Sequence, residues 1–76
     1  MATFEELLLF IAARTKQLRK EHKMSQLDLA MKVGIDRNQI SRIENAENNV
    51  SIKTLHKLVE QLDVEFSEFF NFKDIK

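Results

Sequence analysis

Apolar residues recur every three or four positions along most of this chain, which is the spacing of one face of an α-helix. Each such stretch begins after a polar residue whose side chain can cap a helix: Thr3, Ser25, Asp36 or Ser51. The first three of these are followed three residues later by Glu, Asp or Gln, which completes the pattern of a capping box. Gly34 ends the second stretch, because glycine adopts the left-handed backbone of a helix C-terminus without steric cost.

These signals predict five helices with short connections, over about residues 3–22, 25–34, 36–44, 51–62 and 66–71. On the first helix, Leu7, Leu8, Ile11 and Leu18 form the predicted apolar side. The composition agrees, since one Gly, no Pro, no Trp and no Tyr accompany many Leu, Lys, Glu and Gln residues, which favour helices over strands. A length of 76 residues allows one domain. We therefore predict a single all-α domain over residues 1–76.

The small size of the chain also predicts a partner. A domain of this length buries only about 60% of its unfolded surface, and small domains often add a disulfide, a metal or a second subunit. The chain has no Cys, and its two His, His22 and His56, lack partners at metal-ligand spacing. We expect no metal, no cofactor and no small-molecule ligand, which leaves oligomerisation as the expected supplement.

Membrane and enzyme functions find little support in the sequence. The longest apolar run, residues 7–13, is about a third of a membrane span, and the N-terminus lacks the basic flank of a signal peptide. We therefore expect no membrane contact and a cytoplasmic location. The paired acids at positions 5, 6, 65 and 68 lie at predicted helix N-termini, where acids are common, and Ser25 and Ser51 are caps without a His to activate them.

Charge is unevenly distributed along the chain although the net charge is zero. Residues 14–42 contain eight Lys or Arg against three Asp or Glu, whereas the segments on both sides are acidic. A central basic block fits one face that meets an anion while the rest of the surface stays solvated. Helix surfaces are charged in most proteins, so this pattern by itself leaves both interpretations open.

The second and third predicted helices are the most informative part of the chain. Each has about eight residues, too few to be stable alone, and residues 34–36 join them as a helix-turn-helix unit over about residues 25–44. The apolar positions of both fit an inner surface: Leu29, Ala30, Val33, Ile35, Ile40 and Ile43. The outer side of the third helix then carries Arg37, Asn38, Ser41 and Arg42. A helix fits the DNA major groove, and exposed donors near its N-terminus can read base edges.

At these residues the chain resembles the helix-turn-helix repressors of the λ-repressor/Cro type, also called the xenobiotic-response-element family. The shared pattern is Ser-Gln-x-x-Leu-Ala from Ser25, then Gly34, then Ile-Ser-x-Ile-Glu from Ile40. The likeness covers residues 11–70 and implies a compact five-helix, λ-repressor-like fold. Residues 36–37, 49–55 and 62–65 resemble, more narrowly, the small controller proteins of restriction–modification systems.

Three positions depart from the family pattern. Ala46 stands where relatives have Gly after the recognition helix, and Thr15 stands where they have an aliphatic core residue. Gln39 takes a position that is Tyr in several controller proteins. The last difference leaves the DNA target sequence open.

The resemblance implies contacts with base edges. Arg37 and Asn38 match the family positions that reach the bases, and Arg42 lies one turn later on the same side. Arg pairs with the acceptors of guanine, and Asn pairs with adenine. Gln39 is either an edge contact or the partner in the capping box. Ser41 is a candidate for a phosphate or a base.

The resemblance also implies contacts with the DNA backbone. In relatives the Gln that opens the second helix binds a phosphate, aided by the partial positive charge of the helix N-terminus, which implies this role for Gln26. Further candidates for phosphate contacts are Lys23, Ser41, Asn45, Asn48, Asn49 and Lys53. An Asn-rich loop also needs no function beyond turning the chain.

Two structural roles follow from the same likeness. The Arg of relatives equivalent to Arg19 forms an ion pair with the Glu that ends the recognition helix, here Glu44, so we expect that pair rather than a DNA contact. Relatives dimerise through the fifth helix, which implies an interface built from Phe66, Phe69, Phe70 and Phe72. The alternative is a monomer with its Phe side chains folded under. A dimer would hold its recognition helices about 34 Å apart and require a roughly palindromic operator.

The expected function is therefore sequence-specific binding of double-stranded DNA by a homodimeric transcription regulator, without enzymatic activity. As a controller protein it would act on its own promoter and on that of a linked gene, as activator or repressor. Alternatives are a generic phage-type repressor, an antitoxin of the same fold, or an interaction module that has lost DNA binding. The chain ends six residues after Phe70 and lacks the usual toxin-wrapping segment, and Arg37, Asn38 and Arg42 count against loss of DNA binding.

Overall fold

The protein is described by a computed structural model that covers residues 3–47 and 49–71. Within those residues it forms five α-helices and no strand, as predicted: α1 (Phe4–Glu21), α2 (Gln26–Val33), α3 (Arg37–Glu44), α4 (Ile52–Gln61) and α5 (Phe66–Phe69). The fifth helix is a single turn and ends two residues before the predicted boundary. No helix in this part of the chain is both long enough and apolar enough to cross a membrane.

The predicted N-terminal caps are present on the first four helices. Thr3, Ser25 and Asp36 each form a capping box with the residue three positions later, and the Ser51 hydroxyl accepts the Thr54 N–H at 3.1 Å. These hydrogen bonds satisfy backbone donors that have no partner inside the helix. Gly34 ends α2 with φ 83°, in the left-handed region that the sequence predicted.

Three residues that are not glycine also adopt the left-handed conformation, each one residue beyond a helix cap. They are Lys23 after α1, Ala46 after α3 and Asp63 after α4, with φ between 56° and 57°. At each of these ends, the N–H groups of the left-handed residue and of the residue after it donate to carbonyls of the last helical turn. The Met24 N–H, for example, donates to the Arg19 carbonyl at 3.0 Å. This is the hydrogen-bond pattern of a Schellman motif, which usually has glycine at the left-handed position. Of the four left-handed helix ends in the described residues, three carry a residue other than glycine, so the sequence pattern did not identify them.

The apolar core lies among α1, α2, α3 and α4, and α5 closes it against α1. Its fully buried apolar side chains come from all the later helices and their ends: Leu29, Ile40, Leu58, Leu62 and Phe69. On α1 the buried side begins only at Phe10, and Leu7 is exposed, contrary to the predicted apolar side. Helices α2 and α3 are about 12 Å long, too short to cover all of an 18-residue helix.

Phe69 requires a correction to the predicted subunit interface. Its ring is completely buried and makes edge-to-face contacts with Phe10 and Phe70, at 6.4 and 5.1 Å between centroids. A side chain with no exposed surface cannot contact a second copy, so Phe69 belongs to the core of its own chain. Phe70 is half-buried and Phe66 is 41% exposed. Phe72 lies outside the described residues.

Helix α5 is held in place by a buried arginine to which the sequence pattern assigned no role. Arg14 of α1 donates from Nη2 to the Glu68 carbonyl at 2.7 Å and from Nε to the Phe69 carbonyl at 3.1 Å. Its Nη1 also donates to Gln17 Oε1 at 3.0 Å. A one-turn helix has little stability of its own. The guanidinium therefore stabilises α5 by binding carbonyls at its C-terminal end, where a cation is favoured.

Candidate nucleic-acid interface

The turn between α2 and α3 sets the position of the predicted recognition helix. The N–H groups of Gly34 and Ile35 both donate to the Ala30 carbonyl, at 2.8 and 3.0 Å. A Cβ atom added at Gly34 would meet nothing within 4 Å, so the positive φ rather than lack of space requires glycine here. Ala30 is itself buried, and its small side chain suits the close approach of the two helices.

Helix α3 separates its residues cleanly into an inner and an outer side. Ile40, Ile43 and Glu44 are buried. The outer residues are exposed, apart from the half-buried Ser41: Arg37, Asn38, Gln39, Ser41 and Arg42. The structure thus brings all the predicted base-contacting side chains to one accessible helix surface. That surface carries two guanidinium groups and two amides, the groups that pair with guanine and adenine.

Gln39 has an intramolecular role in this structure. Its Oε1 accepts the Asp36 N–H at 3.3 Å, while the Asp36 carboxylate accepts the Asn38 N–H at 3.2 Å. The side chain therefore acts as the capping-box partner, one of the two roles that the sequence left open. Its contact with a base edge stays a prediction.

The predicted phosphate contacts flank α3 in the chain. Gln26 opens α2, and Lys23 is exposed in the turn before it. On the other side, Asn45 caps the C-terminus of α3, and its Nδ2 lies 3.5 Å from Ser41 Oγ. Asn49 and Lys53 are exposed next to the start of α4. Asn48 lies outside the described residues.

A buried ion pair joins α1 to the end of α3. Arg19 donates from Nε to Glu44 Oε2 at 2.7 Å and from Nη2 to Glu44 Oε1 at 3.1 Å. Its remaining nitrogen donates to the Met24 carbonyl at 2.7 Å. The pair expected from the family likeness is present, and its two-pronged geometry restricts the angle between the helices. Because all three guanidinium nitrogens are engaged inside the protein, Arg19 is not part of the exposed surface.

The side chain of Gln26 makes two contacts that sequence reasoning missed. Its Oε1 accepts a hydrogen bond from Arg37 Nη1, and its Nε2 donates to Glu44 Oε1, both at 3.2 Å. The three residues are separated by seven to eighteen positions, so no local spacing rule connects them. Only the packing of α2 against α3 brings these groups together.

No group of three or more His, Asp or Glu in residues 3–47 and 49–71 could hold a metal ion. His56 instead stacks on Phe66 and lies 3.5 Å from the Glu60 carboxylate, one turn along α4. The exposed polar surface of α3, where the predicted base-contacting side chains lie together, is the candidate functional site.

Comparison with known proteins identifies the family to which the two-helix unit belongs. The family model described as helix-turn-helix matches residues 16–69, and the chain belongs to that family. Among named relatives, the control protein C.MunI of Mycoplasma sp is 39% identical over 59 residues, which cover 76% of this chain and 80% of that protein. The transcriptional regulator SinR of Bacillus licheniformis is 42% identical over 65 residues, or 84% of this chain. The antitoxin PezA of Streptococcus pneumoniae is 38% identical over 56 residues, or 74% of this chain.

The relatives differ in how much of their length this chain represents. It spans 59% of SinR and 35% of PezA. By contrast, it spans 96% of the crystal structure of the restriction–modification controller protein C.AhdI from Aeromonas hydrophila, with a TM-score of 0.79, 35% identity and 83% of this chain covered. The controller protein C.Esp1396I, seen as a tetramer with its natural 35 base-pair operator, gives a TM-score of 0.78 at 36% identity over 91% of this chain and 88% of that one.

Proposed function

We propose that this protein is a sequence-specific, DNA-binding transcription regulator of the controller type, working as a homodimer on a roughly palindromic operator. The observation that carries this proposal is the exposed side of α3, which presents Arg37, Asn38 and Arg42 on a helix that a glycine turn joins to α2. Support comes from controller proteins of similar length and fold, one of them crystallised with its operator. The proposed activity is DNA binding without an enzymatic step. The proposed location of the protein is the cytoplasm.

In this proposal α3 enters the major groove and its exposed side chains read the bases. Arg37 and Arg42 carry donor pairs that match the N7 and O6 acceptors of guanine, and Asn38 matches adenine. A correct bidentate pair discriminates against the wrong base by about 1–3 kcal/mol. Asn38 and the two arginines therefore supply enough discrimination to select an operator from other sequences.

The contacts with phosphates fix the register of that helix without reading sequence. The N-terminus of α2 favours an anion because its first N–H groups point outward and its dipole is positive there. Gln26 and Lys23 lie at this end, and Asn45, Asn49 and Lys53 lie beyond the other end of α3. These two groups of hydrogen-bond donors, one before and one after α3, are suited to bind the two DNA phosphate backbones that border one major groove.

The proposed dimer uses the aromatic surface of α5. Phe10, Phe70 and Phe66 stack in sequence at 5.8 and 6.4 Å between ring centroids, and the last ring is partly exposed. Exposed aromatic rings bordered by charged residues are typical of partner surfaces. A second copy would cover Phe66 and Phe70 and place two α3 helices about one DNA turn apart.

Regulation in this proposal depends on the concentration of the protein and the arrangement of its operators. From the likeness to controller proteins, we propose that this protein binds its own promoter and that of a linked gene, with activation at low occupancy and repression at higher occupancy. The genes adjacent to this one test the assignment directly. A neighbouring restriction endonuclease or methyltransferase gene supports it, and a neighbouring toxin gene favours the antitoxin alternative that the match with PezA raises.

Replacing Arg37 tests the function at the α3 surface. A selection from randomised DNA duplexes defines the preferred operator, and electrophoretic mobility shifts then measure affinity. We expect Arg37→Ala to weaken operator binding about tenfold or more, the effect of removing one bidentate base pairing, while weak binding to unrelated DNA changes little. The matched control is Lys16→Ala, which removes an exposed cation from α1. Equal loss on all sequences would contradict base reading by Arg37, and failure to enrich any duplex would contradict the proposed function.

A further inference from the structure

The start of α1, residues 4–9, carries a group of apolar side chains that the rest of the fold leaves uncovered; this segment is termed the α1 overhang. None of its residues is buried. Phe4 is 55% exposed, Leu7 is 37% exposed and Leu8 is half-buried. The overhang also lies before residues 16–69, which the family model matches. Apolar side chains exposed together are typical of a surface that meets a partner.

The overhang continues the side of α1 that packs against α5. Residues seven apart on an α-helix point in nearly the same direction, because two turns take about 7.2 residues. Leu7 therefore shares its direction with Arg14, whose guanidinium binds two carbonyls of α5. Leu7 is also one turn from Phe10, whose ring stacks on Phe70 at 5.8 Å between centroids. The aromatic surface of α5 and the overhang therefore lie side by side.

The apolar side chains of the overhang point in two different directions. Phe4 shares its direction with Ile11, which is buried farther along the helix. Leu9 shares its direction with Lys16, which is exposed, and Leu9 is itself 61% exposed. Phe4 and Leu9 thus have similar exposure, but only Phe4 extends the side of α1 that other helices cover.

The aromatic surface of α5 by itself is too small for a stable dimer. A typical interface buries about 800 Å² per subunit, of which about 65% is apolar in homodimers. A Phe side chain can bury about 200 Å², so the 41% exposure of Phe66 provides roughly 80 Å², and the half-buried Phe70 provides less. These two rings supply less than about a third of the apolar area required. Phe4 adds roughly 110 Å² on the same basis, and Leu7 and Leu8 add more.

We propose that the α1 overhang is the second part of the dimer interface and is covered by a second copy of this chain. This inference rests on the proposed homodimer and extends its interface from α5 to the start of α1. A second copy is the occupant because the surface that it covers on α5 continues directly onto Leu7. In a two-fold dimer each interface side chain occurs twice, so every substitution in the overhang removes contacts from both subunits.

Sedimentation equilibrium of the full chain tests the interface. We expect Phe4→Glu and Leu7→Glu each to raise the dimer dissociation constant about tenfold or more, because each removes buried apolar surface twice. Leu9→Glu is the matched control, with the same added charge at a similarly exposed position, and its dissociation constant stays as in wild type. Acidic residues are favourable near a helix N-terminus, so α1 is expected to stay folded in all three variants. Circular dichroism checks this.

A second measurement identifies the occupant. In dimers assembled from isotope-labelled and unlabelled subunits, filtered NOE spectra detect only contacts between subunits. We expect such contacts from the methyl groups of Leu7 and none from those of Leu9. Contacts of Leu7 only with its own chain, for instance with residues 72–76, overturn the proposal. Equal dissociation constants for the Leu7→Glu and Leu9→Glu variants overturn it as well.

The outcomes for the wild-type protein separate this inference from the proposed function. A wild-type chain that stays monomeric overturns the extended interface and the proposed homodimer, whereas selection from randomised duplexes still tests DNA binding by α3. A wild-type dimer that dissociates in Leu7→Glu but enriches no duplex supports the interface and overturns the proposed DNA binding.

Discussion

Thr15 is a buried polar residue in the middle of α1 whose side chain has no hydrogen-bond partner in the described part of the chain. The residue is 0% exposed, and its Oγ1 atom is buried without a hydrogen bond to any of those residues. A buried polar group without a hydrogen bond costs about 1–3 kcal/mol. This position is also where the family pattern has an aliphatic residue, and the packing of α1 explains that preference.

Thr15→Val is expected to raise the free energy of unfolding by about 1 kcal/mol, because it replaces the unpaired hydroxyl with a methyl group of similar size. Thr15→Ser is the matched control, since it keeps the hydroxyl and removes the methyl group, and we expect it to destabilise the protein. Urea denaturation followed by circular dichroism measures both. A Thr15→Val variant less stable than wild type would show that the hydroxyl has a partner in solution.

Ala46 has a similar local cost at the end of α3. Its φ of 57° lies in the left-handed region, where a Cβ atom costs about 1–2 kcal/mol. We expect Ala46→Gly to raise the free energy of unfolding by about 0.5–1 kcal/mol, after allowing for the greater freedom of glycine in the unfolded chain. Ala13→Gly, an exposed position inside α1, is the same chemical change and is expected to lower stability by about 1 kcal/mol. Thermal unfolding distinguishes the opposite signs, and equal effects would contradict the strain at Ala46.

At the scale of the elements, side-chain caps stabilise the N-termini of the helices, and two of these caps contain a carboxylate whose charge depends on pH. Hydrogen bonds from the Thr3 backbone N–H and then from its hydroxyl lower the pKa of Glu6 below its usual 4.5. The backbone N–H of Ser25, followed by its hydroxyl, lowers the pKa of Asp28 below 3.8 in the same way. Both carboxylates accept these capping hydrogen bonds more strongly in their charged form than in their protonated form.

These shifts predict an acid-side decrease in stability. Because the folded pKa values lie below the unfolded ones, the contribution is fully present above about pH 4.5 and is lost as the pH falls through the lowered values. We expect Glu6→Gln and Asp28→Asn to flatten the pH dependence of the unfolding midpoint below about pH 4.5. Glu5→Gln is the control, since Glu5 also lies in the first turn of α1 and its side chain makes no hydrogen bond within the described residues. An unchanged slope in the Glu6 and Asp28 variants would contradict the caps in solution.

At the scale of the whole molecule, the proposed function uses two surfaces, the polar outer side of α3 and the aromatic side of α5. Helix α5 depends on Arg14 and on the stacking of Phe70 over Phe10 for its position. Several other apolar side chains are exposed away from it, including Met31 of α2 at 72%. Exposure by itself therefore does not define the partner surface. Substitutions on α5 and on α2 are needed to distinguish the two sites.

Phe66→Glu is expected to shift the protein from dimer to monomer and to lower operator affinity, because it places a charge in the proposed interface. The ring is partly exposed and lies outside the core, so the fold is expected to remain. Met31→Glu is the matched control, with a charge at an exposed apolar site on α2 and no expected change in assembly. Sedimentation equilibrium measures the distribution. A dimer that persists in Phe66→Glu would place the interface on another surface.

The amino-acid sequence by itself determined the helices, their caps and the glycine turn. A capping box involves residues three positions apart, and the φ requirement at Gly34 belongs to a single residue, so both can be recognised without knowing the fold. The polar side of α3 was predictable for a related reason, since its apolar residues have helical spacing. The buried pair of Arg19 and Glu44 followed from the family likeness.

Only the tertiary structure decided which side chains are buried and which polar groups meet. Phe69 and Phe66 are equally apolar and three residues apart, yet one is in the core and the other is partly exposed. The contacts of Arg14 with α5, and of Gln26 with Arg37, join positions distant in the chain. Burial and such contacts depend on how separate helices pack against each other. The spacing of residues within one helix carries no information about that packing.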